Sequence, residues 1–131
     1  MDEPRWLDRR VLEVIHSDQI LEHGGALGVR DEGLLEAALA RPRHQWSYDP
    51  SCDLASLAAA YCFGAAKNHA FVDGNKRTAL AAAYTFLAIN GLELEAPEPE
   101  ATNMVLGVAD GSVTEASLAA WIRARLVPWV E

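Results

Sequence analysis

The sequence predicts an all-α domain, a compact helical bundle with at most one short extended piece. Three observations carry that expectation. Apolar residues recur three and four positions apart along most of the chain, two stretches are crowded with alanine, and glycines stand where the helical patterns stop. At 131 residues the chain is expected to form one domain over 1–131, burying roughly two-thirds of its unfolded surface without metals or disulfides.

Taken in order, residues 6–23 carry Leu7, Val11, Val14, Ile15 and Ile20 as a helical stripe that ends at Gly24 and Gly25. Residues 31–41 form the second predicted helix, with Asp31 as N-cap and Leu34, Leu35, Ala38 and Leu39 on its apolar side. Residues 42–51, with Pro42, Trp46, Tyr48 and Pro50, read as a loop or flap, where the extended piece would lie. Trp46 and Tyr48 would either meet a partner or fold back onto the core. Residues 53–68 and 75–90 are two Ala-rich helices, the second ended by Gly91. Alanine lets helices approach closely, so these two are expected to be the central pair, joined by the loop 69–74. Residues 93–100 make an acidic, Pro-broken connection. Residues 101–110 and 114–127 are the last two predicted helices. Leu118, Trp121, Ile122 and Leu126 form the apolar face of the final one, with Arg123 and Arg125 off that face and solvated.

Composition narrows the function. The net charge is −8, which argues against a direct nucleic-acid binder, because phosphate contacts need a surplus of Lys and Arg. No apolar stretch is long enough for a membrane span, and the first residues lack a signal-peptide core. Cys52 and Cys62 are spaced for neither a redox pair nor a zinc site and read as reduced thiols, which suggests a cytoplasmic protein.

The chemistry concentrates in His69, Phe71, Asp73, Gly74, Asn75, Lys76 and Arg77. A loop-to-helix junction exposes unpaired N–H groups at the positive end of the helix dipole, a ready anion site. Lys76 and Arg77 in that first turn oppose the dipole by a few tenths to about 1 kcal/mol, a penalty that a bound phosphate would reverse. Asp73 is placed to hold Mg²⁺ bridging phosphate oxygens. The amides from Gly74 to Arg77 would cradle a phosphate, and Lys76 and Arg77 would neutralise charge during transfer. His69 supplies a base suited to a hydroxyl nucleophile, while Phe71 points inward as an anchor. Lys67, at the end of its helix, is a further candidate nucleotide contact. His16 reads as structural, and His23 and His44 as surface residues. The spacing is not that of a Walker A loop.

The run His-x-Phe-x-Asp-Gly-Asn-Lys-Arg resembles the signature of the Doc (death-on-curing) toxins within the Fic/Doc family. The likeness extends to His16, Gly24-Gly25, Gly28-Val29-Arg30-Asp31, the stretch 34–38, Thr78-Ala79-Leu80, Phe86-Leu87 and Asn90-Gly91, which covers nearly the whole chain. It implies a Fic/Doc-type helical fold, His69 as base for a protein hydroxyl, Asp73 on the metal, and phosphates held by the loop. Enzymes of the family that transfer AMP have Pro after the His, Gly after the Asn and a second Arg three residues beyond the first. Here Ala70, Lys76 and Leu80 stand there. Those departures match the Doc pattern, whose chemistry is transfer of a γ-phosphate from ATP or another nucleoside triphosphate with Mg²⁺. The implied target is translation elongation factor Tu, with arrest of translation, and the implied partner is a Phd-like antitoxin. An AMP transferase and a catalytically idle protein-binding module are the alternatives.

Overall fold

The computed structural model describes residues 1–130 and contains six helices and one two-stranded sheet. The helices are α1 (Arg9–His23), α2 (Glu32–Tyr48), α3 (Leu54–Asn68), α4 (Asn75–Ile89), α5 (Glu98–Asp110) and α6 (Glu115–Arg123). Among the described residues no helix is long and apolar enough to cross a membrane.

The helix starts follow from the sequence. Asp8, Asp31, Asp53 and Thr114 each sit in extended backbone and accept a hydrogen bond from the third N–H of the helix that follows. Such caps stabilise a helix by about 1 kcal/mol each. The expected N-cap at Asp31 is thus present. α3 forms the centre and packs against α2, α4, α5 and α6. Its buried faces are mostly alanine (Ala55, Ala58, Ala59, Ala60, Ala65, Ala66), and α4 answers with Ala79, Ala82 and Ala83. Small side chains bring the two backbones together, as the alanine pattern predicts. On the other side of α3, Gly64 fits closely against α2, where an added Cβ would lie 3.4 Å from the Cα of Ala38.

Not every element is as expected. The flap is helical, because α2 runs through Pro42 to Tyr48. A proline inside a helix removes one hydrogen bond and costs about 3 kcal/mol, so the sequence reads as a break there. Pro42 is fully buried, and that burial offsets the loss. Trp46 consequently turns inward, edge-on to Trp6 at 6.3 Å, and its Nε1 is buried without a partner among the described residues. Tyr48 instead is 94% exposed. The extended piece lies elsewhere: β1 (Leu92–Leu94) pairs antiparallel with β2 (Leu126–Pro128), Leu94 opposite Leu126. The last helix therefore stops at Arg123, and Leu126 packs from a strand.

Arg123 and Arg125 are not simply solvated. Arg123 forks onto Asp53 at 2.5 and 3.0 Å, and Arg125 pairs with Glu100 at 2.6 Å. Arg123 holds the Asp53 carboxyl at about 2, below its ordinary range, helped by the cap bond from Ser56. A depressed carboxylate stabilises the fold above its unfolded pKa of about 3.9. That contribution is lost as pH falls through about 2. Asp53→Ala removes both cap and pair. Because the pair is half-exposed and screened, the expected cost at pH 7 is about 1–2 kcal/mol, read as a lower urea midpoint, with the difference from wild type shrinking toward pH 2.

At the N-terminus, the Leu7 N–H donates to the Tyr61 hydroxyl at 2.9 Å, and burial pushes that phenol up to about 12. Trp6 stacks on Phe86 at 6.1 Å. Residues ahead of α1 are thus tied to the core although they are not helical. Both cysteines are free thiols, and burial pushes Cys62 up to about 12, which makes it inert packing.

Candidate active site

The motif spans the end of α3, a six-residue corner and the start of α4. His69 is the α3 C-cap with φ 50° and ψ 46°, the one non-glycine residue with positive φ among those described. A side chain in this region costs about 1–2 kcal/mol relative to ordinary helical backbone, so the neighbourhood must hold it. Arg30 does so by donating from Nε to the His69 carbonyl at 2.7 Å and from Nη2 to the Asn68 carbonyl at 3.3 Å. The N–H groups of Arg30 and Asp31 both donate to the Ala70 carbonyl, at 2.7 and 3.1 Å, and the Val72 N–H donates to the Gly28 carbonyl at 3.0 Å. Residues 28–31 therefore lie along the corner as a short splint, bridged at Val29 and Phe71.

Phe71 points inward as expected and is buried. His16 stacks flat on it, 3.8 Å between ring centres and 7° apart in plane. His16 Nε2 lies 2.8 Å from the Asp73 carbonyl. A carbonyl only accepts, so Nε2 carries the proton. The structural reading of His16 is what the geometry supports. Asn75 faces back over the corner: its Oδ1 accepts from the Phe71 N–H and its Nδ2 donates to the Phe71 carbonyl, both at 3.0 Å. The Asn75 side chain is thus spent on the loop, and only its amide remains for a ligand.

Gly74 opens α4 in left-handed backbone, φ 77°. The positive φ is what favours glycine here; a Cβ would also sit 3.0 Å from Cδ1 of Ile20, a tight contact that this side-chain end would have to yield to. Unlike α1, α2, α3 and α6, this helix has no side-chain cap. Its first internal bond is from the Thr78 N–H to the Gly74 carbonyl at 2.9 Å. The N–H groups of Asn75, Lys76 and Arg77 are left pointing out with the positive end of the dipole. Lys76 and Arg77 are exposed, and among the described residues neither makes an ion pair.

These groups share one open pocket of about 470 Å³, lined by His69, Asp73, Gly74, Asn75, Lys76 and Arg77, with Thr102 and Leu106 facing them from α5. One Asp73 oxygen accepts from the Ala26 N–H at 2.8 Å, which aims the carboxylate. Among the described residues no three His, Cys, Asp or Glu side chains come together as a metal cage. A single carboxylate suits an ion such as Mg²⁺ that keeps its waters and leans on substrate phosphates. Beyond Arg77 and Thr102 the pocket continues over Leu80, Val105 and Leu106.

Lys67 does not join this set. Two positions before His69 on a helix is the opposite side, and its Nζ lies 5.9 Å over the Phe63 ring, close to Gly111 and Asp110. The residues absent from the sequence reading are Ala26, Arg30, Thr102 and Leu106. Arg30 stands in a stretch the resemblance had marked, but nothing in a linear sequence says which carbonyls a guanidinium will reach.

Residues 6–87 match the Fic/DOC family. The chain belongs to that family. The match runs from the segment ahead of α1 through most of α4 and so contains every motif residue. Among Fic/DOC relatives, toxin Doc of Mycolicibacterium smegmatis is 57% identical over 92 residues, 70% of this chain and 68% of the relative. Protein kinase doc of Escherichia phage P1 is 34% identical over 119 residues, 91% of this chain and 94% of its own length. The helical architecture agrees with the expected Fic/Doc-type fold.

Proposed function

We propose that this chain is a toxin of a toxin–antitoxin pair that transfers the γ-phosphate of a nucleoside triphosphate to a protein hydroxyl. The observation that carries the reading is the uncapped start of α4, with the unpaired cations Lys76 and Arg77, facing His69 and Asp73 across one pocket. The names of the two relatives, a toxin and a protein kinase, support it. Asp73 would hold Mg²⁺, which would neutralise charge on the nucleotide's phosphate oxygens. His69 takes the proton of the acceptor hydroxyl as its oxygen bonds to the γ-phosphorus. The bond to the bridging oxygen breaks, and nucleoside diphosphate leaves, its developing charge met by Lys76, Arg77 and the free amides. Leu80, at the position of the second arginine of AMP-transferring relatives, lines an apolar surface, which favours phosphate over AMP transfer.

The proposed target is elongation factor Tu, with loss of translation as the consequence, and the proposed location is the cytoplasm. Intact-mass measurement of the factor after incubation with the protein, ATP and Mg²⁺ tests this. A phosphate-sized increment is expected; an adenylate increment, or none, overturns the reading.

A toxin needs a partner to restrain it, and the resemblance supplies a Phd-like antitoxin with a segment that folds on binding. Of the aromatics available as anchors, Trp46 is partly buried against the core, and Trp121 donates to Glu100 at 2.7 Å under the Arg125 guanidinium. Tyr48 and the 49%-exposed Trp129 remain. With a net charge of −8, the chain should prefer a segment rich in Lys or Arg. The two proteins should co-purify, and their affinity should fall as salt rises. Absence of both co-purification and neutralisation counts against the pair.

A further inference from the structure

Among the described residues, Arg30 is the one side chain that hydrogen-bonds to the backbone of the proposed base. We infer that it is a positioning residue for His69: it sets the direction of the imidazole by holding the α3 C-terminus in its left-handed turn. Three observations meet here. His69 has a backbone conformation that side chains avoid. The helix end has no glycine to relieve it, and the Arg30 fork takes up the Asn68 and His69 carbonyls that a helix terminus leaves open. The guanidinium is also a cation at the negative end of the dipole.

The rest of Arg30 belongs to the same device. Its N–H is on the Ala70 carbonyl, so backbone and side chain grip consecutive residues of one corner. Through that corner the direction of the His69 Cα–Cβ bond is coupled to the splint 28–31. With the fork gone, the turn can relax toward ordinary backbone, and the ring swings away from the pocket that Asp73 and Lys76 define. The two-donor fork is specific to arginine, because a lysine ammonium is a point donor that cannot span both carbonyls in that geometry.

The kinetic arm of the test rests on the phosphotransfer reading above; the spectroscopic arm does not. In Arg30→Met, kcat for target phosphorylation is expected to fall about tenfold to a hundredfold, the scale of a misplaced reacting group. The nucleotide KM is expected to stay within about twofold, because substrate binding is untouched. Arg30→Lys is expected to recover little, and guanidinium ion at millimolar concentration to restore part of kcat in Arg30→Ala. Carbon–proton NMR of the His69 ring, observed without any substrate, is expected to shift or broaden in Arg30→Met while the core signals of Tyr61 and Phe86 stay put.

An unchanged His69 ring spectrum together with wild-type kcat overturns the positioning role. So does a kcat loss matched by a rise in KM that Arg30→Lys fully repairs, since charge alone would then suffice. If the wild type transfers no phosphate, the phosphotransfer reading falls, and the ring spectrum alone decides the role of Arg30. Should Arg30→Met fail to fold, Arg30→Lys, which keeps charge and length, carries both arms.

Discussion

His69→Ala is expected to abolish target modification and to permit growth when the protein is expressed without a partner, while leaving the fold intact. Loss of a positioned general base costs about 10²- to 10⁴-fold in rate, enough to remove toxicity. The folding side of the claim comes from the site geometry. The imidazole is exposed and makes no hydrogen bond to the described residues; only the main chain of His69 is engaged, through its carbonyl to Arg30. Alanine keeps that carbonyl, and like histidine it carries a Cβ in the left-handed turn that Arg30 holds. Far-UV and near-UV circular dichroism should therefore match wild type, with growth and target mass as the functional readouts. A fully toxic variant removes His69 from the role of base.

Much of the fold was legible because its signals are local. Asp8, Asp31, Asp53 and Thr114 are side-chain caps at the right places, and the alanine runs mark the close pair α3 and α4. Where the sequence misleads, a long-range contact outweighs a local preference. Pro42 is a helix breaker in any short window, yet its buried position lets α2 continue. Leu126 continues the apolar period of α6, but pairing with Leu94, residues away in sequence and opposite in space, takes it into a strand.

The site divides the same way. His69, Asp73, Gly74, Asn75, Lys76 and Arg77 lie within nine residues, so a helix following a loop brings them together whatever the rest of the fold does. What orients them comes from elsewhere: Arg30 on the His69 carbonyl, Ala26 on the Asp73 carboxylate, His16 on the Asp73 carbonyl. Those partners are 39 to 57 residues distant in sequence, and no periodicity announces them. Lys67 shows the converse, since nearness in sequence to His69 does not bring it to the lining of the pocket.

The second large effect is on the charge of the site, and here stability and activity should move in opposite directions. Lys76 stands in the first turn of α4, where a cation works against the dipole, and no carboxylate among the described residues pairs with it. Lys76→Ala should therefore raise the unfolding free energy by a few tenths to about 1 kcal/mol. The same change should cut phosphate transfer by about 10²- to 10³-fold, the cost of removing a group that meets developing charge. Asp73 needs a subtler substitution, because its carboxylate also receives the Ala26 N–H. Asp73→Asn keeps an acceptor for that bond and removes only the negative charge. It should leave the thermal midpoint near wild type and lower transfer on the same scale, while a chelator should abolish transfer by the wild type. A Lys76→Ala variant that is less stable and fully active would mean that the cation serves the fold. Undiminished wild-type transfer in a chelator would mean that Asp73 holds the loop and no metal.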